Sequence, residues 1–506
     1  MNKNKFLFGK FTVFPPAICM ALGTAISFYL FKAFRAAQAS GVFLSVSLLL
    51  LVAIISFAYT LLRLTNDVHA VKRGQSILIL AICFSVGFAL GIKDRAAAVR
   101  QTAIYPGQLT ESVISVSGKL LSDPRTTNTN RGMGTLRLDR AFAKNGISTS
   151  ARGDLLVFFD EGAIPRLKEF GRGSIIFAEG NFFSAKDGTL MFRAKGTHIT
   201  KPAPRLEQFR TKCRHALIRA FSEQKWGGLS LALLVGIRDN LDTVLAKQYA
   251  DAGCSYILAL SGMHLAIVSA LISFLLIKPL GKKRAAVCGA IIIVVYVYFV
   301  GSQPSLMRSM IMYLLGTAAV LGAFNTNAGL LLALSFLIQI NIESASGDAI
   351  SFLLSYGALA GILTLGESFL FFLKGKLPDI IASPLAASLG AFFSTLSLCI
   401  IFFGTLRPVG IVAGLLIAPI TTVFMICSIA YLIFSFVFPY INYILGFALN
   451  IMYIMLEKIA SVSAAFPALP TKKDDPIAIT VSILLPIAII ILHRYYKQKR
   501  LLVLQG

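Results

Sequence analysis

A serine, a glycine and a histidine stand together in a stretch that is otherwise apolar. Gly253–His264 reads GCSYILALSGMH. Polar groups in such surroundings are costly, so each needs a reason. Ser261 and His264 are three apart and share a face if the segment is helical. A serine beside a histidine is the pairing of nucleophile and base. Neighbours on one helix rarely reach the in-line geometry, and the G-x-S-x-G elbow is absent because position 259 is Ala. Two other readings stay open. The serine hydrogen-bonds its own helix backbone, or Gly253, Ser261, Gly262 and His264 form a polar element that breaks or lines a passage. A second polar residue, Arg308, lies a few residues inside the apolar run PSLMRSMIMYLLG. It either snorkels to the surface past Pro304 or faces an aqueous pathway and meets phosphates.

Metal and phosphate-loop chemistry find no support. The five histidines form no H-E-x-x-H or H-x-H-x-D-H cluster, and the seven cysteines show no C-x-x-C spacing. No metal, cofactor or disulfide is expected, and no G-x-x-x-x-G-K-[ST] loop occurs. The sequence therefore does not read as an enzyme.

The elements that hold these residues are membrane-length apolar runs. Mean hydropathy is +0.76 and 56% of residues are apolar. Runs near 11–31, 42–62 and 76–92 come first, and no cleavable signal peptide is evident. A polar region follows. A second apolar block holds candidate spans near 254–277, 285–301, 304–322, 327–341, 347–373, 381–404, 409–438, 440–463 and 476–493. Residues 229–237 are too short to span and read as re-entrant or interfacial. The fold class is a polytopic α-helical membrane protein of about twelve spans, carrying a small OB-like β-barrel outside the cytoplasm. Its divisions are membrane helices (1–92), an extracytoplasmic β-domain (93–200), a basic amphipathic helix (201–227) and a helical membrane domain (228–506).

Lysine and arginine in short loops set the orientation. Lys3, Lys5 and Lys10, then Arg63, Lys72 and Arg73, then Lys278, Lys282, Lys283 and Arg284, then Lys374 and Lys376, and the tail from Arg494 to Arg500 fall on one side. Lys32, Arg35, Lys472 and Lys473 are exceptions. Both termini are expected in the cytoplasm, with the polar region outside the cytoplasmic (inner) membrane.

In that polar region, residues 112–119, 135–143, 154–159, 174–183 and 189–194 alternate or cluster apolar residues at strand length, and Asp187-Gly188 reads as a hairpin turn. Five short strands point to a small barrel. Arg205–Phe221 then shows Leu206, Phe209, Cys213, Leu217 and Phe221 on one side, with Arg210, Lys212, Arg214 and Arg219 around the rest. Residues 93–227 carry 23 Lys and Arg against 12 Asp and Glu. A long outer domain escapes the positive-inside rule, so this excess needs its own explanation. A basic barrel surface with aromatic platforms suits a single-stranded polyanion. Phe158, Phe159, Phe182 and Phe183 are paired on predicted strands, so one of each pair should face outward. Those four, with Arg210, Lys212 and Arg214, are the candidate contacts. The alternative is that the rings fill the core and the charge meets anionic lipid.

Together these pieces resemble the ComEC-type family of DNA-internalisation competence proteins. The resemblance rests on Leu233–Asp239 (LLVGIRD), Gly253–His264, Gly301–Met312 (GSQPSLMRSMIM) and Ser351–Ala358 (SFLLSYGA), in that order. It implies a channel that passes one DNA strand across the cytoplasmic membrane during natural transformation. Ser261, Gly262, His264 and Arg308 carry over as a pore or structural motif with no assigned catalysis. The first histidine of the family's motif is replaced here by Tyr256, and a glutamine by Leu353. Many members continue into a metallo-β-lactamase-like domain, whose metal motif is absent from residues 1–506. A separate nuclease and a cytoplasmic motor are therefore expected as partners, and a homo-oligomer is allowed. The competing reading is a transporter or channel for a smaller solute, with the outer domain as sensor or assembly module.

Overall fold

Apolar alternation along residues 113–201 produces strands whose inward side chains make one closed core. The computed structural model describes residues 113–503 except 128–130, 145–147, 185–189, 302, 343–349, 436–438 and 472–474. The three N-terminal runs and the Asp187-Gly188 turn lie outside the described residues. Residues 92–223 form one unit, and residues 224–506 group with 1–91 in the other.

The first unit holds β1 (Val113–Leu120), β2 (Arg125–Thr126), β3 (Gly132–Ala143), β4 (Ser148–Phe159), β5 (Ile175–Ser184) and β6 (Leu190–Lys201). β1 pairs antiparallel with both β3 and β5. β3 pairs with β4, and β5 with β6, also antiparallel. The ring closes through a parallel pair in which Leu156–Phe158 of β4 meet Met191–Arg193 of β6. Five strands thus form a closed barrel, with β2 appended to β3. Its interior is filled by Val116, Leu136, Val157, Phe159, Ile176 and Phe192. The strands run longer than the apolar pattern alone suggests. Ladder pairing continues through Ser148–Gly153, where the side chains carry little hydrophobic signal. A short helix that the sequence reading did not anticipate, α1 (Ile164–Phe170), lies between β4 and β5, with Pro165 in its first turn and Leu167 buried.

Helix α2 (Arg205–Phe221) is amphipathic in an inverted sense. Its polar side is the one that docks. Arg210 Nη2 and Nη1 lie 2.7 and 3.1 Å from the Asp123 carboxylate, and Arg172 pairs with Glu207 at 2.8 Å. Thr211 is buried beside Gly171. Leu206 and Phe209, on the apolar side of a helix expected to lie on the membrane or on the barrel, are 62% and 65% exposed. Ion pairs and hydrogen bonds, with Phe221 at the end, overrode the apolar periodicity.

The second unit is helical. α3 (Gly227–Val235) and α4 (Thr243–Asp251) precede the four-residue α5 (Ser255–Leu258). α6 (Gly262–Val300), α7 (Pro304–Gly322), α8 (Ala328–Ile342), α9 (Ile350–Leu373) and α10 (Asp379–Phe403) follow. α11 (Val409–Phe434), α12 (Pro439–Ala464) and α13 (Pro476–Val503) complete it. A two-residue ladder joins β7 (Thr405–Leu406) to β8 (Leu469–Pro470). Seven of these helices are long and apolar enough to cross a membrane. That is fewer than the nine spans expected in this block. α8 is shorter, and the expected spans at 254–277 and 285–301 belong to a single element, α6.

α6 is not straight. Gly281 adopts φ 74°, ψ 163°, which is not helical, two residues after Pro279. Ile272 in the first arm lies 3.6 Å from the position of a Cβ on Gly289 in the second. Leu265, Val297 and Val300 share one core with Leu260 and Leu306. The two arms fold back on each other, so residues 262 and 300 lie at the same end. The expected span beginning at 254 starts later, because residues 259–261 break from helix.

The short apolar stretch at 229–237 is not an exposed interfacial segment. α3 is buried, with Ser230 Oγ 2.9 Å from Ser428 Oγ of α11. Trp226 packs edge-on against Tyr431, ring centroids 4.9 Å apart. α9 and α10 approach closely through small residues, since a Cβ on Gly361 would lie 2.3 Å from the Gly390 carbonyl oxygen. Phe274, Val295, Ile433, Ile444 and Leu484 are exposed, as lipid-facing residues are.

Candidate functional site

The Gly253–His264 stretch folds into two corners. The first is the turn from α4 to α5. Gly253 sits at φ 72°, and a Cβ there would lie 3.0 Å from Arg407 Cβ and 3.3 Å from Gly410 Cα. Arg407 Nη2 pairs with Asp251 at 2.9 Å, and its Nη1 donates to the Asp251 carbonyl. Gly253 thus locks this turn against the start of α11. It does not join the other motif residues.

The second corner does join them. After α5 the chain is extended at Ala259 and again at Ser261, which becomes the N-cap of α6. Ser261 Oγ accepts from Met263 N at 3.3 Å, and Ser261 N donates to His264 Nδ1 at 3.1 Å. This is a capping box in which histidine takes the place usually held by Glu or Gln. The backbone donor makes Nδ1 an acceptor, so the neutral ring carries its proton on Nε2. That nitrogen is fully buried with no hydrogen-bond partner among the described residues. The Ser261–His264 contact therefore terminates a helix. The serine precedes the helix, so the two residues do not share a helical face as the spacing implied.

Arg308 closes the corner from α7. It does not snorkel. It is 7% exposed, and its Nη1 donates to the Ser355 carbonyl of α9. Its guanidinium carbon lies 5.8 Å from the Tyr356 ring centre. A Cβ on Gly262 would come within 2.7 Å of Arg308 Nη2 and 2.6 Å of Ser309 Oγ, so only glycine lets α6 and α7 approach in this way. Ser305 Oγ ties the corner by donating to the Leu260 carbonyl at 2.7 Å, and Arg238 Nη2 donates to the Leu258 carbonyl at 2.9 Å. Ser261, Gly262, His264 and Arg308 are brought together; Gly253 is not.

Three residues of this neighbourhood were missed. Tyr356 Oη lies 3.0 Å from Gln339 Oε1 and 3.3 Å from Ser335 Oγ, and Gln339 Nε2 donates to the Pro304 carbonyl at 3.0 Å. All three are buried. The signal was available in the serine and glutamine of SFLIQIN, polar residues inside an apolar helix. Among the described residues there is no cluster of three His, Cys, Asp or Glu able to hold a metal.

On the barrel the four phenylalanines divide. Phe159 is fully buried and Phe182 packs against the core with its ring 5.0 Å from Phe192. Neither faces outward. Phe158 and Phe183 lie on the other face, ring centroids 5.8 Å apart, and Arg193 holds its guanidinium 5.0 Å from the Phe183 ring centre. Arg193 was missed, although it follows the inward Phe192 and must point out by strand alternation. Of the basic candidates on α2, Lys212 is exposed. Arg210 and Arg214 are engaged with Asp123, at 2.7 and 3.6 Å. Arg210 is buried, so it pins the helix to the barrel and does not present its charge outward. Burial alone would raise the Asp123 carboxyl. The Arg210 hydrogen bond, the charges of Arg214 and Arg210 and the Arg172 amide outweigh it and hold the group below the usual carboxylate range.

A family model described as "Competence protein" matches residues 233–495, more than half of the 506-residue chain. The chain belongs to the competence protein family. The match contains both corners, α3 from Leu233 on, and Arg308. It confirms the ComEC-type resemblance carried by LLVGIRD and the Ser-Gly-Met-His stretch. The chain is also similar to ComE operon protein 3 of Bacillus subtilis (strain 168), at 25% identity over 165 residues. That match covers 32% of this chain and 21% of the relative's length. In this competence-family chain, Ser261, Gly262, His264 and Arg308 build one polar corner where α6 and α7 begin.

Proposed function

We propose that this protein passes single-stranded DNA across the cytoplasmic membrane during DNA uptake. Membership of the competence family carries the reading, and the half-buried Phe158–Phe183 pair on the outer face, with the exposed Arg193, gives it a physical basis. Two aromatic faces and a guanidinium suit bases and phosphate whatever the sequence. The strand order and the parallel β4–β6 closure support an OB-type barrel, a fold used for oligonucleotides. The barrel lies outside and both termini lie in the cytoplasm; about twelve spans cross the inner membrane when the two arms of α6 and the shorter α8 each count as one beside the other six long helices and the three N-terminal runs. The barrel receives the strand, and the helical unit carries it across the membrane. A motor supplies direction, and a nuclease degrades the other strand.

The test is binding of a fluorescent oligonucleotide to the purified full chain across a salt series. Tight binding with a steep loss between 50 and 200 mM salt (the range in which phosphate contacts are screened) supports the reading. No binding at low salt removes it and leaves transport of a smaller solute.

A further inference from the structure

Arg308 is a buried cation without a buried anion. Among the described residues no carboxylate lies within ion-pairing distance of it, and its Nε–H has no acceptor. A guanidinium stays charged in essentially any protein environment. Its protein contacts are one carbonyl, that of Ser355, and the face of the Tyr356 ring. Isolated buried charge costs several kcal/mol.

The rest of the corner has the same sign. Arg308 Nη2 sits against Gly262, the first residue of α6, where the helix dipole places partial positive charge. Arg308 itself stands one turn into α7, so a second helix N-terminus opens beside it. His264, in the first turn of α6, adds another buried donor without a partner in its Nε2–H. A helix N-terminus alone is common. An arginine more than nine-tenths buried, aimed at that terminus and lacking a counter-charge, is not.

We propose that the corner formed by Arg308 and the first turn of α6 is a binding site for a phosphate group. The planar guanidinium fork matches phosphate oxygens, and the α6 terminus supplies backbone N–H groups and dipole. A phosphodiester of a nucleic-acid strand and the headgroup of an anionic lipid share this chemistry. The site goes beyond the uptake reading, and its test separates the two.

The experiment is hydrogen exchange on the full chain in phosphatidylcholine nanodiscs, with sodium phosphate against sodium chloride at matched ionic strength. Protection by phosphate over residues 258–266 and 304–312 is expected, with apparent affinity weakened about tenfold or more in Arg308→Gln. Arg308→Lys, which keeps the charge and loses the fork, guards against a misfolded variant and should fall between the two. Two arms identify the source: an oligothymidine added to the same discs, and phosphatidic acid discs without oligonucleotide. Protection of the corner in either arm supports the site and names its ligand. Phosphate or lipid protection without oligonucleotide binding keeps the site and removes the DNA reading. Oligonucleotide binding that protects only the barrel, with no phosphate effect at the corner, overturns the site and keeps that reading.

Discussion

Arg210 and Asp123 join α2 to the barrel by two hydrogen bonds of 3.1 and 2.7 Å. The arginine end is buried and the aspartate end partly so. Truncating Arg210 leaves Asp123 with Arg214 and the Arg172 amide only, and Arg210→Ala should cost the barrel unit about 1.5–3 kcal/mol. Faster hydrogen exchange over residues 205–221 in the intact protein would register the loss. An unchanged profile would mean that Arg172–Glu207 and Phe221 hold the helix alone.

The same pair sets an acid limit. Asp123 has a folded-state pKa below its unfolded value. Its stabilisation is therefore complete above roughly pH 4 and is lost as pH falls through the depressed folded value. Asp123→Asn should be less stable at neutral pH and should lack that acid-dependent decline. A variant that declines in parallel with the parent would assign the effect to another group.

Ser261 is a cap in this structure, so its chemistry is replaceable. Ser261→Ala should cost about 1 kcal/mol of helix stability, whereas Ser261→Asn and Ser261→Asp should keep it. His264→Gln should preserve the capping box better than His264→Leu. DNA uptake by the Asn variant is the decisive readout. Lost uptake with an intact fold would restore a chemical role for the hydroxyl.

Gly262 is held to a hydrogen atom by its neighbours. Gly262→Ala must displace both Ser309 Oγ and the Arg308 fork. Adding Ser309→Ala should recover part of the loss, giving a coupling of about 0.5–3 kcal/mol in a double-mutant cycle. Strict additivity would show that the helices separate instead.

On the barrel, the two faces should respond differently. Phe159→Ala opens the core and should cost about 3–5 kcal/mol of stability. Phe158→Ala and Phe183→Ala should leave the barrel folded and weaken oligonucleotide binding by about 1–3 kcal/mol for each stacked base. Arg193→Gln should flatten the salt dependence by about 0.7 in slope if one phosphate contact is lost. Equal effects at Phe158 and Phe159 would point to folding as the common cause.

The barrel was legible because inward and outward residues alternate, and the family because LLVGIRD and Ser-Gly-Met-His occur in order. The membrane spans were legible by length, but their number was not. The break at Gly281 was legible, because the basic residues between 278 and 284 interrupt the apolar run, but a short helix such as α3 can be apolar because it is buried. The amphipathic character of α2 was legible but its docking side was not, because its contacts are ionic: Asp123 and Glu207 select Arg210 and Arg172, and periodicity carries no information on such partners. The roles of Ser261 and Arg308 needed coordinates, since a cap and a buried fork differ from a surface pair only by where the neighbouring helices begin.

The return at Gly281 fixes a parity. A chain that goes out and comes back ends on the side where it began, however long each leg is. Lengthening or trimming the basic turn at residues 278–284 therefore leaves Gly262 and Arg308 facing one another. Losing the turn altogether would convert the two legs into one and send Arg308 to the opposite end. The positive charges of Lys282, Lys283 and Arg284 thus anchor the far end of a structure whose near end is the polar corner.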